Sequence, residues 1–450
     1  MKPFPHQIEA AVFLAERRYA LLGSDPRTGK TGAAIMAADY ALDQTILVVT
    51  TASGRAVWRK AFADWQAIPR SVETMYEPVD TKADVVIVGW AQVYEPPFIV
   101  RLRRRRWDRV IPDEGHYATR FSAMRTQALY GTPFDDGETL NSTRSLLGAC
   151  DGMWELTGTP IPNSPFDAYP RLRALWPERL LANPARGWPD VTKETAFRDR
   201  YCVVKWKKVG NFRKQLVIVE GRNEAELAAR SEGVMLRRTQ TDVGIGEPIY
   251  DILPLRFSER QRAVFEKDVD AAKILAAAEA DDTKSLEMHM GPLRRLTGTL
   301  KAELVAEAVA DEFDGGLDRI VLAYWHKDVR DVLTQKLSKY GVTGIDGATS
   351  DRDRADATRD FARAGGPRVF LAQIEAAGEA IDLSASAVLW VVEPTFSPRQ
   401  MRQVSLRITN LNQPRQAFVR VCVLENSIDE ALQTVLLRKW ASIREVLKPC

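Results

Sequence analysis

Apolar residues along this chain gather in short continuous runs, at 19–22, 45–50, 84–88, 109–112 and 153–156. Their length suits strands. Between them the spacing turns helical: Ile8, Ala11, Val12, Leu14 and Ala15 share one face over 8–18, and 55–65 and 91–105 read the same way. The runs are apolar throughout rather than alternating, which predicts strands covered on both faces. Strand and helix alternating at this rhythm predict a parallel, doubly wound α/β sheet.

The rhythm breaks over 161–250, which is rich in Pro, Trp, Arg and Asn. This stretch reads as an insertion with helices and a small hairpin, 202–208 and 214–219 around Gly210-Asn211. Residues 256–315 read as helical, with an Ala-rich segment at 271–280 and an exposed stretch at 281–284. A second α/β rhythm starts at 319 and runs through 340–346, 368–373 and 387–393. It closes with a strand at 417–424 and a helix from Ile428. The expected domains are 1–165, an insertion with the inter-lobe segment at 166–250, a helical start at 251–315, and a second lobe at 316–450.

Composition narrows the function. At 45% apolar and 27% charged, 450 residues support two or three domains with real cores. The formal net charge is only +3, so a nucleic-acid surface must come from local segregation of charge. Four cysteines, Cys150, Cys202, Cys422 and Cys450, have neither metal-ligand nor disulfide-framework spacing, and four histidines argue against zinc. No apolar run approaches the ~18 residues of a membrane span, and the N-terminus does not read as a signal peptide. A cytoplasmic protein is expected.

Three stretches carry chemistry. Ser24-Asp25-Pro26-Arg27-Thr28-Gly29-Lys30-Thr31 lies between an expected strand and an expected helix. In that context the backbone N–H groups of the loop cradle phosphate, Lys30 reaches the β/γ-phosphates and the Thr31 hydroxyl ligates Mg²⁺. Asp113-Glu114-Gly115-His116 follows the run at 109–112, at the strand end where an open α/β sheet places ligand groups. There Asp113 suits Mg²⁺ and Glu114 suits orienting or deprotonating the attacking water. Thr157-Gly158-Thr159-Pro160 again follows an apolar run; its hydroxyls suit a link between nucleotide state and a neighbouring domain, and it also reads as an ordinary turn.

In this order the motifs resemble those of helicase superfamily two ATPases of the Swi/Snf type, nearest to the compact annealing-helicase-like branch. Phe4-Pro5-His6-Gln7 resembles the Gln motif, which implies that Gln7 reads adenine. Thr50-Thr51-Ala52-Ser53 with Trp58 and Trp65 resembles the next motif, implying DNA contacts from Thr51 and Ser53; Val86-Ile87-Val88-Gly89-Trp90 resembles the one after. Met235-Leu236-Arg237-Arg238-Thr239, after Gly221-Arg222-Asn223, resembles the inter-lobe segment. In the second lobe Gly347-Ala348-Thr349-Ser350 fits, implying a DNA contact from Thr349; Gly378 and Asp382 fall in the stretch resembling motif five, and Gln403 with Arg407 fits motif six.

The sequence also departs from the family. Ser24 replaces the usual first glycine of the loop, and Arg27 a small residue. Ala380 replaces a glycine, and Pro112 an apolar strand residue. Asn410 stands where motif six carries its second arginine, usually the arginine finger, worth roughly 10³–10⁵ in rate. The departures suggest a divergent member of viral origin, acting in the host cytoplasm. DNA contact is also expected from the basic run Arg101–Arg106, at Arg103, Arg104 and Arg105, whose alternative reading is a solvated helix face. Lys205-Trp206-Lys207-Lys208 mixes an aromatic with charge; stacking on a base is open, but a Trp packed on the insertion is the expectation. Trp58 and Trp65, seven apart, read as core.

The resemblance implies two RecA-like lobes with ATP and Mg²⁺ in the cleft between them, and DNA, duplex or forked, as partner. It implies catalytic roles for Lys30, Asp113, Glu114, Gln403 and Arg407. Nucleotide contacts are implied for Gln7, Ser24, Arg27, Thr28, Gly29, Lys30, Thr31, Gly378 and Asp382, and metal contacts for Thr31 and Asp113. The expected function is an ATP-dependent DNA translocase or helicase-like motor that moves on, rewinds or unwinds DNA. The alternative from another class is a nucleotide-gated DNA-binding module with little turnover, because of Asn410. A third reading is the motor subunit of a restriction system.

Overall fold

The structure, a computed structural model, describes residues 2–133, 140–209, 213–256, 283–377, 381–394, 398–410, 415–425, 427 and 429. The chain divides into two units. Unit one comprises Met1–Lys205 and Ile218–Val243; unit two comprises Trp206–Val217 and runs on from Gly244.

In unit one, helix α1 (Pro5–Ala15) precedes strand β1 (Tyr19–Leu22). Helix α2 (Lys30–Tyr40), strand β2 (Ile46–Thr50), helix α3 (Ala52–Trp65), and strands β3 (Val72–Thr74), β4 (Val85–Gly89) and β5 (Trp107–Pro112) follow. A short pair, β6 (Thr132–Pro133) and β7 (Leu140–Asn141), comes before β8 (Cys150–Leu156). The hairpin strands β9 (Cys202–Val209) and β10 (Arg213–Gly221), of which Cys202–Lys205 and Ile218–Gly221 belong to this unit, precede β11 (Met235–Leu236). The main sheet has the order β11-β1-β8-β5-β2-β4-β3, and its neighbours are all parallel.

Strand residues alternate between two cores, as a pleat requires. Leu47, Val49, Val86, Val88, Val110 and Met153 face one. Ile46, Val48, Val85, Ile87, Ile111 and Trp154 face the other, under Ala11, Ala34, Ile35, Trp58 and Phe62 of α1, α2 and α3. This two-sided burial is why the runs are apolar throughout.

Unit two contains strands β12 (Ile249–Leu255), β13 (Ile320–Tyr324), β14 (Val342–Ile345), β15 (Val369–Gln373), β16 (Val388–Val391) and β17 (Phe418–Leu424). They form a second all-parallel sheet, β12-β17-β16-β13-β15-β14. The helix Thr283–Asp314 covers one face through Val305, Val309 and Phe313, while Phe361 and Ile374 sit on the other. Two tandem parallel-sheet α/β lobes are therefore present.

The helix expected over 91–105 is confined to Pro96–Leu102, since the chain must straighten into β5 by Trp107. The Ala-rich segment 271–280, the stretch 281–282 and the terminal helix expected from Ile428 lie outside the described residues, Asp429 aside. Trp206 differs from expectation: it does not pack on the insertion but is 68% exposed. The segment 235–240, read as inter-lobe, lies against β1 as the edge of the first sheet. No described helix is long and apolar enough to cross a membrane.

Candidate nucleotide site

Because the strands of the first sheet are parallel, their C-terminal ends share one edge. The loop 23–29 leaves β1 there, Thr51 leaves β2, Asp113 leaves β5 and Thr157 leaves β8. Asp113 N–H donates to Val49 O at 2.8 Å and Thr157 N–H to Leu22 O at 3.1 Å, which ties these exits to one another.

Gly29 has φ +77° and serves as N-cap of α2. A side chain there meets both an unfavourable backbone and the Gln7 amide, which fills the space of a Cβ. Gln7 is 4% exposed. Its Nε2 donates to Gly29 O at 3.2 Å and its Oε1 accepts Phe4 N–H at 2.9 Å. Gln7 thus braces the loop. Thr28 Oγ1 donates to Asp25 O, and Lys30 Nζ donates to Ser24 O and Asp25 O at 2.9 and 3.0 Å. Arg27 takes φ +71°, a conformation that a non-glycine residue adopts at a cost. The departure from small residues at this position therefore coincides with a left-handed turn.

Sequence reasoning missed what holds the loop from outside. Gly23 N–H donates to Leu236 O at 2.8 Å and Asp25 N–H to Arg238 O at 2.9 Å. Arg238 N–H donates to Ser24 Oγ at 3.1 Å. Gln240, fully buried, donates its backbone N–H to Asp25 Oδ2 and its Nε2 to Pro26 O at 3.0 Å. Ser24, in the place of a glycine, gives this clamp one of its acceptors. The available signal was Asp25, an acid inside an anion-binding loop.

Asp113 is the electrostatic centre. Its Oδ2 accepts from Thr50 Oγ1 at 2.9 Å and from Trp58 Nε1 at 2.8 Å, and its carbonyl accepts from Trp90 Nε1 at 2.8 Å. Burial and the neighbouring Glu114 push its carboxyl up to about 6, against the opposing pull of Trp58, Lys30 and Thr50. Glu114 sits at φ +55°. One of its oxygens lies 3.1 Å from His116 Nδ1, which is 3.0 Å from Thr157 Oγ1. His116 therefore joins the acidic box to the Thr-Gly-Thr turn. Gly158 lies against Pro26, where a Cβ would approach Cδ to 2.9 Å.

The donor set fits Mg²⁺. Among the described residues there is no His/Cys/Asp/Glu cage of three or more. Thr31 and Asp113 offer hard oxygens of the kind that Mg²⁺ takes alongside substrate phosphates.

The remaining candidates belong to several different elements. Thr51 caps α3, accepting Gly54 N–H, and lies 3.2 Å from Ser53 Oγ at the same sheet edge as the loop. Arg103, Arg104 and Arg105 precede β5, at the opposite end of the sheet. Arg103 donates to Thr143 O and Arg105 to Ala83 O, while Arg104 pairs with Asp80. In unit two Thr349 Oγ1 donates to Asp346 Oδ1 at 3.0 Å, and Asp382 Oδ1 accepts from Ser384 N–H and Oγ. Gln403 and Arg407 are both buried, and Arg407 O accepts Leu383 N–H at 3.1 Å. Asn410 Nδ2 donates to Ser384 Oγ at 3.2 Å. Gly378 lies outside the described residues.

Residues 301–411 match the helicase conserved C-terminal domain. The chain is 22% identical over 461 residues to the human DNA annealing helicase and endonuclease ZRANB3, covering 97% of this chain and 40% of that protein. It is 25% identical to the Caenorhabditis elegans homolog of the SWI/SNF-related matrix-associated actin-dependent regulator of chromatin subfamily A-like protein 1, covering 98% of this chain and 61% of the relative. The chain thus spans about two fifths to three fifths of these relatives. Among solved structures, the Sulfolobus solfataricus SWI2/SNF2 ATPase core in complex with dsDNA matches with TM-score 0.44 and 16% identity, covering 100% of this chain and 98% of that one.

Proposed function

We propose that this chain, a helicase superfamily two protein of the Swi/Snf type, is a DNA-dependent ATP hydrolase that couples turnover to movement on DNA. The observation that carries the reading is the shared sheet edge. Phosphate loop, acidic box and Thr-Gly-Thr turn converge there, with Asp113 held by three hydrogen bonds from Thr50, Trp58 and Trp90.

In this reading Lys30 exchanges the Ser24 and Asp25 carbonyls for phosphate oxygens, and the N–H groups at the start of α2 hold the same anion. Thr31 and Asp113 would hold Mg²⁺, which when bound neutralises charge on the phosphates. Glu114 orients the attacking water and takes its proton. Glu114 and Thr157 both lie against His116 Nδ1, which links the base to the Thr-Gly-Thr turn. Gln403 and Arg407 are the second lobe's candidates by resemblance. The relatives' names, annealing helicases among them, favour a motor over a slow nucleotide-gated module. DNA is the proposed partner, contacted in the first lobe from Thr51 and Ser53.

The test is phosphate release with and without duplex DNA. Duplex stimulates the parent protein, and Lys30→Ala and Glu114→Gln each abolish release while circular dichroism stays unchanged. Turnover that persists in the double variant overturns the assignment.

A further inference from the structure

One feature of the chain has no part in this scheme: the hairpin of β9 and β10. Its base is anchored, with Cys202 buried, Val204 and Ile218 packed on the first core, and Arg222 N–H donating to Tyr201 O at 2.9 Å. Two residues further out Trp206 is 68% exposed, alone in this among the described tryptophans. An exposed ring standing alone is ordinary, so a role for it needs a further reason. The hairpin's sequence supplies one. Residues 202–221 contain Lys205, Lys207, Lys208, Arg213 and Lys214 against the single acid Glu220. In a chain whose formal net charge is only +3, this is the local segregation of charge that a polyanion requires.

We propose that this hairpin binds DNA with unpaired bases, Trp206 stacking on a base while Lys205, exposed next to it in the chain, meets the backbone phosphates. Phosphate alone needs only the lysines and arginines. An exposed indole adds a π-face, which a fully stacked duplex cannot engage but a splayed or single-stranded base can. A protein partner would be served by an apolar rim around the ring, whereas the sequence on either side is cationic. The proposal rests on the DNA-motor reading and names the class of DNA it favours: duplex bearing single-stranded arms.

The experiment compares a fork with single-stranded arms and a blunt duplex of equal length, by fluorescence anisotropy without nucleotide. Parent, Trp206→Ala and Trp206→Phe proteins are used. Exposure of Trp206 means that neither change disturbs a core. Trp206→Ala weakens fork binding about tenfold and leaves blunt duplex unchanged, and Trp206→Phe recovers most of the loss. Fork affinity unaltered in Trp206→Ala overturns the proposal and points the ring to a protein partner. An equal loss on both DNAs overturns it as well. Duplex-stimulated phosphate release is followed in parallel. Its absence in the parent overturns the motor reading, whereas its presence beside an indifferent Trp206→Ala overturns the hairpin's role alone.

Discussion

Trp58 donates its indole N–H to the Asp113 carboxylate at 2.8 Å, from a ring with no exposure to solvent. The bond makes a core residue of α3 part of the acidic box. Together with Thr50 it occupies Oδ2, while Oδ1 accepts the Glu114 N–H at 3.1 Å. Trp58→Phe keeps the aromatic packing and removes the donor. It raises the Mg²⁺ concentration needed for half-maximal turnover several-fold and costs about 1–3 kcal/mol of stability. Thermal melts with and without Mg²⁺·ATP check both effects.

Gln240 tests the clamp on the phosphate loop. It lies more than two hundred residues from Asp25 and Pro26, yet bonds to both. Gln240→Ala leaves the backbone bond to Asp25 and strands the Pro26 carbonyl, loosening the turn whose Arg27 has positive φ. ATP binding by fluorescence titration weakens five- to twentyfold, or about 1–2 kcal/mol, while DNA binding without nucleotide is unchanged.

Glu226 gives a pH-dependent prediction. Burial raises its pKa, but hydrogen bonds from Tyr201, Arg200 and Arg230 outweigh burial and hold it below the ordinary value of 4.5. A depressed carboxylate adds stability that is complete above its unfolded pKa and is lost as pH falls through the folded one. Arg230 is fully buried against Glu226, so Glu226→Gln costs roughly 3 kcal/mol at pH 7. The gap between parent and variant in urea unfolding narrows as pH falls below 4.5 and through the depressed folded pKa.

Asn410, which by resemblance stands where motif six carries its second arginine, donates its amide to Ser384 Oγ. If the missing arginine limits hydrolysis, Asn410→Arg raises DNA-stimulated turnover by tenfold or more, within the roughly 10³–10⁵ that such a group can supply. Single-turnover phosphate release separates this from faster product release.

Much of the fold was legible because it lies in local pattern. The runs 19–22 and 45–50 match β1 and β2 to within a residue, since two-sided burial writes itself as an unbroken apolar run. The edge strands β3, β11 and β12 escaped, whereas the edge strand β14 falls within the run 340–346. The accessible residues of β12 begin Ile249-Tyr250-Asp251, exposed and alternating with nothing, and β11 has only two residues. The loop and acidic box were legible as motifs. Their supports were not: Gln240 and Trp58 acquire their roles only when β11 and α3 pack, and no spacing rule joins Gln240 to Pro26. Trp206 was read as packed because tryptophan usually is, and no spacing in the sequence marks it as exposed.

The central claim is that hydrolysis drives movement on DNA. Displacement of a fluorescent third strand from a duplex, followed together with phosphate release, tests it most directly. The account predicts ATP-dependent displacement by the parent that disappears with hydrolysis in Glu114→Gln, although that variant still binds ATP and duplex. Displacement without hydrolysis, or brisk duplex-stimulated hydrolysis that never removes the third strand, would contradict it.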